Sequence, residues 1–336
     1  MTKLLIQVQD LNVWFTARRG FTLFRRHHPQ LFIKAVDGLS FDIFEGETTA
    51  IVGESGSGKT TVARAIMGLL REARGGIHFQ GLNILTENRT GRIDLRTRMQ
   101  IIFQNPFDAM NPRETIFKIV SEPLSIHRKN LNAHVRHEIV SQALRDVGLT
   151  PPEDFEDRFP HELSGGQRQR VLIAGALVLE PVFIIADEPV SMLDASLKVE
   201  ILNLLDDLSK KRNLTYLIVT HDLALTRHIA DRIAIMYLGK ILEMGPASSV
   251  LDRPLHPYSQ ALIAVVPTLE SAWDKKTVLS GEIPHPSSIP SGCRFHPRCP
   301  RSTDLCRAQE PETKEVEPNR FVHCHYVRPI EAQACP

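Results

Sequence analysis

The stretch GESGSGKT at residues 53–60 combines several glycines with one lysine and one threonine hydroxyl. Glycines let backbone N–H groups approach the β- and γ-phosphates of a nucleotide, because a Cβ atom would block that approach. Lys59 can reach the terminal phosphates, and the hydroxyl of Thr60 is a ligand for Mg²⁺. A strand pattern precedes the stretch and a helical pattern follows it, which argues against a chance glycine-rich turn. The sequence therefore predicts a phosphate-binding loop, called the P-loop below.

An acidic pair ends the apolar run FIIADE at residues 183–188. Asp187 is placed to hold Mg²⁺ through water, as the usual partner of a P-loop hydroxyl. Glu188 follows directly, and a carboxylate there can orient and polarise an attacking water molecule. By itself such a pair is more often a solvated turn, but beside a P-loop it indicates a site for hydrolysis.

A second anion site is predicted in HELSGGQRQR at residues 161–170. Ser164 has the character of an N-cap, and two glycines open a helix that continues to a stop at Pro181. The free N–H groups of a helix N-terminus attract anions. Because the P-loop of the chain already holds its own phosphates, this site favours a second nucleotide that is bound mainly by a partner subunit.

Buried strands and one helix must position these residues. ETTAIVG at residues 47–53 predicts a strand that leads into the P-loop, and KTTVARAIMGLL predicts the helix after it. The short apolar runs VFIIADEP and TYLIVTHD are typical of strands that are buried on both faces of a parallel sheet. The sequence therefore predicts an α/β fold.

The composition limits the classes of protein that the chain can belong to. Lys plus Arg number 40 and Asp plus Glu number 39, so the net charge of +1 gives no reason to expect a nucleic-acid partner. The beginning of the chain lacks the apolar core of a signal peptide, and no stretch approaches the eighteen or so apolar residues that span a bilayer. We expect a cytosolic protein that reaches the membrane through partners.

The combination of LSGGQ, the P-loop and the acidic strand end resembles the ATP-binding cassette (ABC) ATPases. Three further positions match the pattern of that family: Gln104 as the Q-loop, Asp194 in the D-loop SMLD, and His221 as the switch histidine. The resemblance covers about residues 4–255, and the order of the motifs is that of the family. A P-loop kinase or GTPase is rejected, because LSGGQ has no role there.

The resemblance implies a role for each matched residue. Phe15 falls where the family stacks an aromatic ring on adenine, with Trp14 as a substitute. The implied ATP-binding residues are Phe15, Gly53, Glu54, Ser55, Gly56, Ser57, Gly58, Lys59, Thr60 and Thr61. Mg²⁺ is assigned to Thr60, Gln104 and Asp187, and catalysis to Glu188, His221 and Gln104. The ATP of a partner subunit is assigned to Ser164, Gly165, Gly166 and Gln167.

The implied fold is α/β, a P-loop NTPase (RecA-like) ABC nucleotide-binding domain with a helical subdomain. That ABC domain is predicted over residues 1–255 and its helical subdomain over about 105–180. Residues 256–336 are predicted to form a small Pro-rich, Cys-containing C-terminal domain. The family also implies a head-to-tail dimer that sandwiches two ATP molecules, each between the P-loop of one subunit and the LSGGQ of the other.

Two further stretches indicate a branch of the family. NPFDAMNPRETI at residues 105–116 and HPYSQAL at residues 256–262 resemble the ATPases of oligopeptide and dipeptide importers. That resemblance implies a second, non-identical ATPase, two transmembrane permeases and an extracytoplasmic substrate-binding protein, with this chain on the cytoplasmic face of the membrane. In other members of this branch, the same kind of ATPase powers the import of nickel or oligosaccharide, and both cargoes remain alternatives.

The rival interpretation is a soluble ABC ATPase that acts in DNA repair or translation. Such proteins usually contain a long coiled-coil insertion, a zinc hook or two cassettes in one chain. The sequence contains none of these features, so the importer interpretation is favoured.

The cysteines fall at the end of the chain, where Cys293, Cys299, Cys306 and Cys324 have five, six and seventeen residues between them. This spacing does not name a metal. A Pro-rich stretch has little apolar sequence for a core, and four thiolates around a metal could supply the missing stability. The branch resemblance implies a [4Fe–4S] cluster here, with Zn²⁺ and free thiols as alternatives. Cys335 lies outside the pattern and is expected to be free.

Overall fold

The protein, examined as a computed structural model, is described over residues 3–16, 32–87, 89–264 and 282–327. Cys335 lies outside these residues. The strands are β1 (Leu4–Thr16), β2 (Phe32–Phe44), β3 (Thr48–Val52), β4 (Ala73–Phe79), β5 (Leu82–Asn83), β6 (Met99–Ile102), β7 (Phe183–Asp187), β8 (Thr215–Thr220), β9 (Arg232–Tyr237), β10 (Lys240–Pro246), β11 (Thr313–Glu317) and β12 (Arg320–His323). The helices are α1 (Lys59–Ile66), α2 (Arg89–Arg98), α3 (Pro106–Ala109), α4 (Ile116–His127), α5 (Ala133–Asp146), α6 (Glu153–Glu156), α7 (Gly165–Leu177), α8 (Ala195–Arg212), α9 (Leu223–Ile229), α10 (Ala247–Asp252), α11 (Pro257–Ala264) and α12 (Asp304–Ala308). In these ranges no helix is both long and apolar enough to cross a membrane.

The strands around the P-loop form a parallel sheet in the order β9-β3-β8-β7-β6. Strands β3, β7 and β8 are buried along their whole length, as apolar runs covered on both faces must be. Val52 pairs with Thr220, and Asp187 pairs with Val219, so the carboxyl ends of these strands lie side by side. The prediction of an α/β fold is confirmed.

One face of this sheet is covered by α1 and by the antiparallel sheet β2-β1-β4-β5. Val62 and Ile66, one turn apart on α1, are fully buried with Phe183 and Leu217 of the parallel sheet. A spacing of four residues places both side chains on one helix face. Full burial of such a side chain contributes about 1.5–3 kcal/mol, so this core fixes the start of α1 behind the P-loop.

The helices α3 to α7 form a second packed region between β6 and β7 along the chain. Val120 of α4, Leu144 of α5 and Val171 of α7 are fully buried in one core. The same core contains Ile184 of β7, so α7 joins this helical region to the sheet. The LSGGQ stretch begins α7, so this core positions the stretch relative to the sheet.

The C-terminal segment, residues 282–327, extends the sheet that carries the P-loop. β10 pairs with β9 on one side and with β12 on the other, and β11 follows β12 at the edge. Arg320 of β12 and Glu243 of β10 form an ion pair of 2.7 Å, and both side chains are fully buried. A buried charge requires a partner, so this pair fixes how β12 sits on β10.

Candidate active site

Lys59 lies inside the P-loop rather than in solvent. Its Nζ donates to the backbone oxygens of Gly53, at 2.7 Å, and of Glu54, at 2.9 Å. Burial lowers the pKa of Lys59, and the nearby carboxylates of Glu188, Asp187 and Glu54 oppose that shift. The loop therefore holds one cation at its centre, with acidic groups within electrostatic range.

Glycines allow the P-loop to pack closely against neighbouring strands. A Cβ at Gly58, where φ is 105°, would lie 2.2 Å from the backbone oxygen of Ala35. A Cβ at Gly53 would lie 2.1 Å from the backbone oxygen of Met236. At Gly56, where φ is 79°, the same position has no atom within 4 Å. The loop is thus closed on the strand side and open on the other, which fits a backbone cradle for phosphates.

Replacing Gly58 with Ala is expected to weaken binding of Mg-ATP by at least about tenfold. The new Cβ meets a backbone oxygen, and a positive φ is unfavourable for alanine, so the loop has to move. Titration of the purified full chain with a fluorescent ATP analogue measures the change. Gly175→Ala in α7 is the matched control, because its Cβ would meet nothing within 4 Å. Equal affinities for the two variants would contradict the close fit.

Thr60, at the end of the P-loop, contacts the buried side chain of Asp187 at the end of β7. The Thr60 hydroxyl donates to Oδ1 of Asp187 over 3.1 Å. Burial raises the pKa of Asp187, and the hydrogen bond from Thr60 opposes this shift. A hydroxyl and a carboxylate oxygen are hard ligands of the kind that Mg²⁺ prefers. The residues present fit that ion.

Glu188 is held between two of the residues that the sequence pointed to. Gln104 donates from Nε2 to Oε2 of Glu188 over 2.7 Å, and Nδ1 of His221 lies 3.0 Å from Oε1. Glu188 has a φ of 49°, and its N–H donates to the backbone oxygen of Val219 over 2.8 Å. This left-handed turn takes the chain sharply away from β7. Two residues far apart in sequence, Gln104 and His221, thus converge on the carboxylate of Glu188.

These residues border an open cleft of about 690 Å³. Its lining includes P-loop residues 53–56 and 58–61, together with Gln104, Glu188 and His221. Leu262, the last residue of HPYSQAL, and Pro286 line it too, and nothing in the sequence indicated that either side chain reaches the P-loop. Other predicted residues do not line this cleft, among them Phe15, Ser57, Asp187 and those of the LSGGQ stretch.

The aromatic pair at the end of β1 divides between core and surface. Phe15 is partly buried and packs against the core beneath the antiparallel sheet. Trp14 is 40% exposed, its Nε1 donates to Oδ1 of Asp37 over 3.0 Å, and Nζ of Lys34 lies 4.4 Å from its ring. Of the two rings, Trp14 offers the more accessible face.

The LSGGQ stretch forms a well-capped helix start that does not line the cleft of its own chain. Ser164 Oγ accepts from the N–H of Gln167 over 3.3 Å, and Oε1 of Gln167 accepts from the N–H of Ser164 over 3.0 Å. This reciprocal capping box fixes the first turn of α7. A Cβ at Gly166 would lie 3.1 Å from Leu197, so α8 packs closely beside that turn. Asp194 caps α8 itself by accepting from the N–H of Leu197 over 3.0 Å.

Two residues of the C-terminal region contact the P-loop from behind. Arg298 forms two hydrogen bonds with the carboxylate of Glu54, at 2.8 and 3.1 Å. The hydroxyl of Tyr258 accepts from the N–H of Glu54 over 3.2 Å. Sequence reasoning missed both contacts. The available signal was the carboxylate of Glu54 inside a phosphate-binding loop, because a negative charge there needs a cationic partner from elsewhere in the chain.

The predicted [4Fe–4S] cluster is wrong. In residues 3–16, 32–87, 89–264 and 282–327, no group of three or more His, Cys, Asp or Glu side chains is placed to hold a metal ion, so Zn²⁺ has no ligand set there either. The four cysteines, Cys293, Cys299, Cys306 and Cys324, are free thiols around a small pocket of about 40 Å³. Burial raises the pKa of Cys293 to about 11, and it raises those of Cys299 and Cys324. Neutral buried thiols behave as small apolar side chains.

The prediction failed because it assumed that the Pro-rich segment needs a core of its own. Cys293, Cys306 and Phe295 instead join the core formed by β3, β9 and β10, beside Tyr237 and Tyr258. The segment therefore packs into the core beside the sheet, and ion pairs such as that of Arg320 with Glu243 add to its attachment. Burial in this core is therefore a source of stability for the segment.

The fold and the site together define an ATP-hydrolysing enzyme of the ATP-binding cassette class. The profile of the family described as ABC transporter matches residues 36–191, and that described as oligopeptide/dipeptide transporter, C-terminal region, matches residues 242–306. The oligopeptide transport ATP-binding protein AppF of Bacillus subtilis (strain 168) is 45% identical over 326 residues, which are 96% of this chain and 97% of the relative. The chain therefore belongs to the family of oligopeptide/dipeptide ABC transporter ATP-binding proteins, and the predicted resemblance is confirmed.

Further comparisons agree in sequence and in fold. The putative oligopeptide transport ATP-binding protein YkfD of the same Bacillus strain is 41% identical over 98% of this chain and 97% of the relative. A dimeric post-hydrolysis state of the ATP-binding cassette MJ0796, bound to ADP and Pi, matches with a TM-score of 0.62 and 27% identity, over 72% of this chain and 99% of that chain. CbiO1 of Clostridium perfringens, part of an ABC transporter complex, matches with a TM-score of 0.63 and 29% identity, over 75% and 92%.

Proposed function

We propose that this chain powers the import of peptides across the cytoplasmic membrane by hydrolysing ATP. The observation that carries the proposal is the Glu188 carboxylate, held by Gln104 and His221 at the edge of a P-loop cleft. The peptide cargo is supported by relatives such as AppF, which is named as an oligopeptide transport protein and matches almost the whole chain.

The P-loop is proposed to hold the phosphates of ATP. Its residues Gly53, Glu54, Ser55, Gly56, Ser57, Gly58, Lys59, Thr60 and Thr61 form the cradle, with the ring of Phe15 or Trp14 for the adenine. The open side at Gly56 and the buried cation of Lys59 support this assignment. Mg²⁺ would be held by Thr60, Gln104 and Asp187, and when bound it neutralises phosphate charge.

Glu188 is proposed as the group that activates water. Its carboxylate accepts a proton from the water that attacks the γ-phosphorus, while the bond to the β-phosphate oxygen breaks and ADP leaves. Gln104 and His221 orient this carboxylate from opposite sides. Lys59 stabilises negative charge on the phosphates. The function of the site is thus to hold a base and a cation in fixed positions before ATP arrives.

The second half of each ATP site is proposed to come from another subunit. None of the residues at the start of α7 lines the cleft formed by their own chain; Ser164 is exposed, Gly165 and Gln167 are half-buried, and Gly166 is buried. The N-terminus of a helix suits the phosphates of an ATP that is bound by a partner. A head-to-tail pair with a second, non-identical ATPase, placed on the cytoplasmic side against two permeases, uses both surfaces.

The domain organisation follows from the same proposal. Residues 1–255 act as the ATPase domain, in which the region at about 105–180 receives the permease. Residues 256–336 form the C-terminal part that is characteristic of the branch. Through β12, that part belongs to the same sheet as the ATPase domain, so the ATPase domain and the C-terminal part are proposed to act as one unit.

Uptake of labelled peptide by cells that express the full transporter tests the cargo. We expect accumulation of a labelled oligopeptide that depends on this chain, with the extracytoplasmic binding protein present. Uptake of nickel or of an oligosaccharide in place of peptide would show that this ATPase powers the import of another cargo. Failure of the chain to co-purify with integral permeases, together with salt-sensitive binding to nucleic acid, would instead favour a role in DNA repair or translation.

A further inference from the structure

Glu54 places a negative charge in the loop that is proposed to hold a polyanion. It is the second residue of GESGSGKT, next to Gly53. Its backbone oxygen accepts from Nζ of Lys59 over 2.9 Å, and Glu54 lines the cleft together with Gly53 and Lys59, so its charge lies close to the proposed phosphate site. Without compensation, such a carboxylate would repel the phosphates of ATP and weaken their binding.

Arg298 supplies that compensation from a distant part of the chain. It ends the 3₁₀ turn His296–Arg298, and its side chain is only 6% exposed. The two hydrogen bonds to Glu54, at 2.8 and 3.1 Å, use both guanidinium nitrogens and both carboxylate oxygens. Paired bonds of this geometry are among the stronger charge-assisted contacts in proteins. The negative charge of Glu54 is therefore paired with the positive charge of Arg298.

Aromatic side chains pack around the contact between Arg298 and Glu54. The guanidinium lies 5.8 Å from the ring centre of Tyr237, which packs 4.8 Å from Tyr258 and 5.6 Å from Phe295. Tyr258 is fully buried, and its hydroxyl accepts from the N–H of Glu54. Both the side chain and the backbone of Glu54 are thus bound by residues that follow position 255.

We propose that Arg298 is a positioning residue that sets the affinity of the P-loop for ATP by neutralising and orienting Glu54. This inference rests on the proposed nucleotide site. It assigns the C-terminal region a direct part in the ATPase, although the motifs of the cassette lie elsewhere. The contact joins residues 244 positions apart, so it forms only when the C-terminal segment is docked.

Affinity for Mg-ATP, measured on the full chain by competition against a fluorescent ATP analogue, tests the role of the charge. Arg298→Gln is expected to weaken binding about tenfold, because one uncompensated carboxylate then faces the phosphates. Glu54→Gln is expected to tighten binding severalfold, because the guanidinium remains. The double variant is expected to return to within about twofold of the original affinity. Raising the salt concentration should shrink the effect of Arg298→Gln.

Two further variants separate charge from folding. Arg307→Gln removes an equal charge from an exposed site in the same segment, and we expect it to leave the affinity unchanged. Arg298→Lys keeps the charge but loses the paired geometry, so it should retain most of the affinity even if Arg298→Gln folds poorly.

The outcomes are distinct. If the double variant binds as weakly as Arg298→Gln, or if Arg298→Gln binds as tightly as the unchanged chain, the charge-compensation role is overturned. If Glu54→Gln weakens binding, the role is overturned as well. If the unchanged chain does not bind Mg-ATP at all, the proposed nucleotide site fails first, and this result is distinguishable from the others.

Discussion

Replacing Glu188 with Gln is expected to lower kcat for ATP hydrolysis by at least about 100-fold while ATP still binds. An amide has nearly the same size as the carboxylate and can still contact Gln104 and His221, so the shape of the site is kept. It cannot accept a proton from water at neutral pH. The ATP-bound state should therefore accumulate, and phosphate release from the assembled transporter measures the loss.

The neighbours of Glu188 provide an internal comparison. Gln104→Ala and His221→Ala remove the groups that orient the carboxylate at 2.7 and 3.0 Å, so they should lower kcat by less than Glu188→Gln does. Glu138→Gln, with the same change of group on an exposed position of α5, is the control and should leave kcat unaltered. A Glu188→Gln variant that hydrolyses ATP within about threefold of the original rate would remove Glu188 from its role.

Replacing Arg320 with Ala is expected to lower the free energy of unfolding by about 3–5 kcal/mol. The change leaves the carboxylate of Glu243 fully buried without its counter-charge. The same carboxylate accepts from the N–H groups of Leu255 and His256, so it cannot turn towards solvent without breaking those bonds. Arg320 also bonds to Glu317, at 2.9 Å, and to the backbone oxygen of Arg253.

Urea unfolding, followed by circular dichroism, measures this loss. Arg253→Ala is the matched control, because its ion pair with Glu317 is 60% exposed on the arginine side and should contribute less than about 1 kcal/mol. The double variant Glu243→Gln with Arg320→Met should recover much of the stability, since Gln keeps an acceptor for the two N–H groups. Equal losses for Arg320→Ala and Arg253→Ala would show that burial of the pair does not matter.

Local patterns were sufficient to predict the part of the site that is formed by strand ends. The apolar runs before Gly53, Asp187 and His221 predicted buried parallel strands, and β3, β7 and β8 are fully buried. A parallel sheet brings its carboxyl ends to one edge, so three separate motifs had to meet. The resemblance added Gln104, which the structure places on Glu188.

Features that depend on packing between distant segments could not be predicted in the same way. Nothing near Arg298 in the sequence indicates that it lies on Glu54, because the pairing depends on how α11 and the 3₁₀ turn dock behind β3. The cysteines were misjudged for the same reason. A metal site was expected because the Pro-rich segment has little apolar sequence and because the branch resemblance implies a cluster, whereas Cys293 and Cys306 lie in a core that is built mostly by β3, β9 and β10.

The placement of β12 beside β10 has a consequence for protein engineering. A chain cut after the last cassette motif would leave β10 as an open strand edge, with unpaired N–H and C=O groups that can recruit a strand from another molecule. It would also leave the carboxylate of Glu243 in an apolar interior without its counter-charge. A transplantable module of this ATPase therefore extends through residue 323, the end of β12, and chimaeras between relatives are best joined beyond that strand.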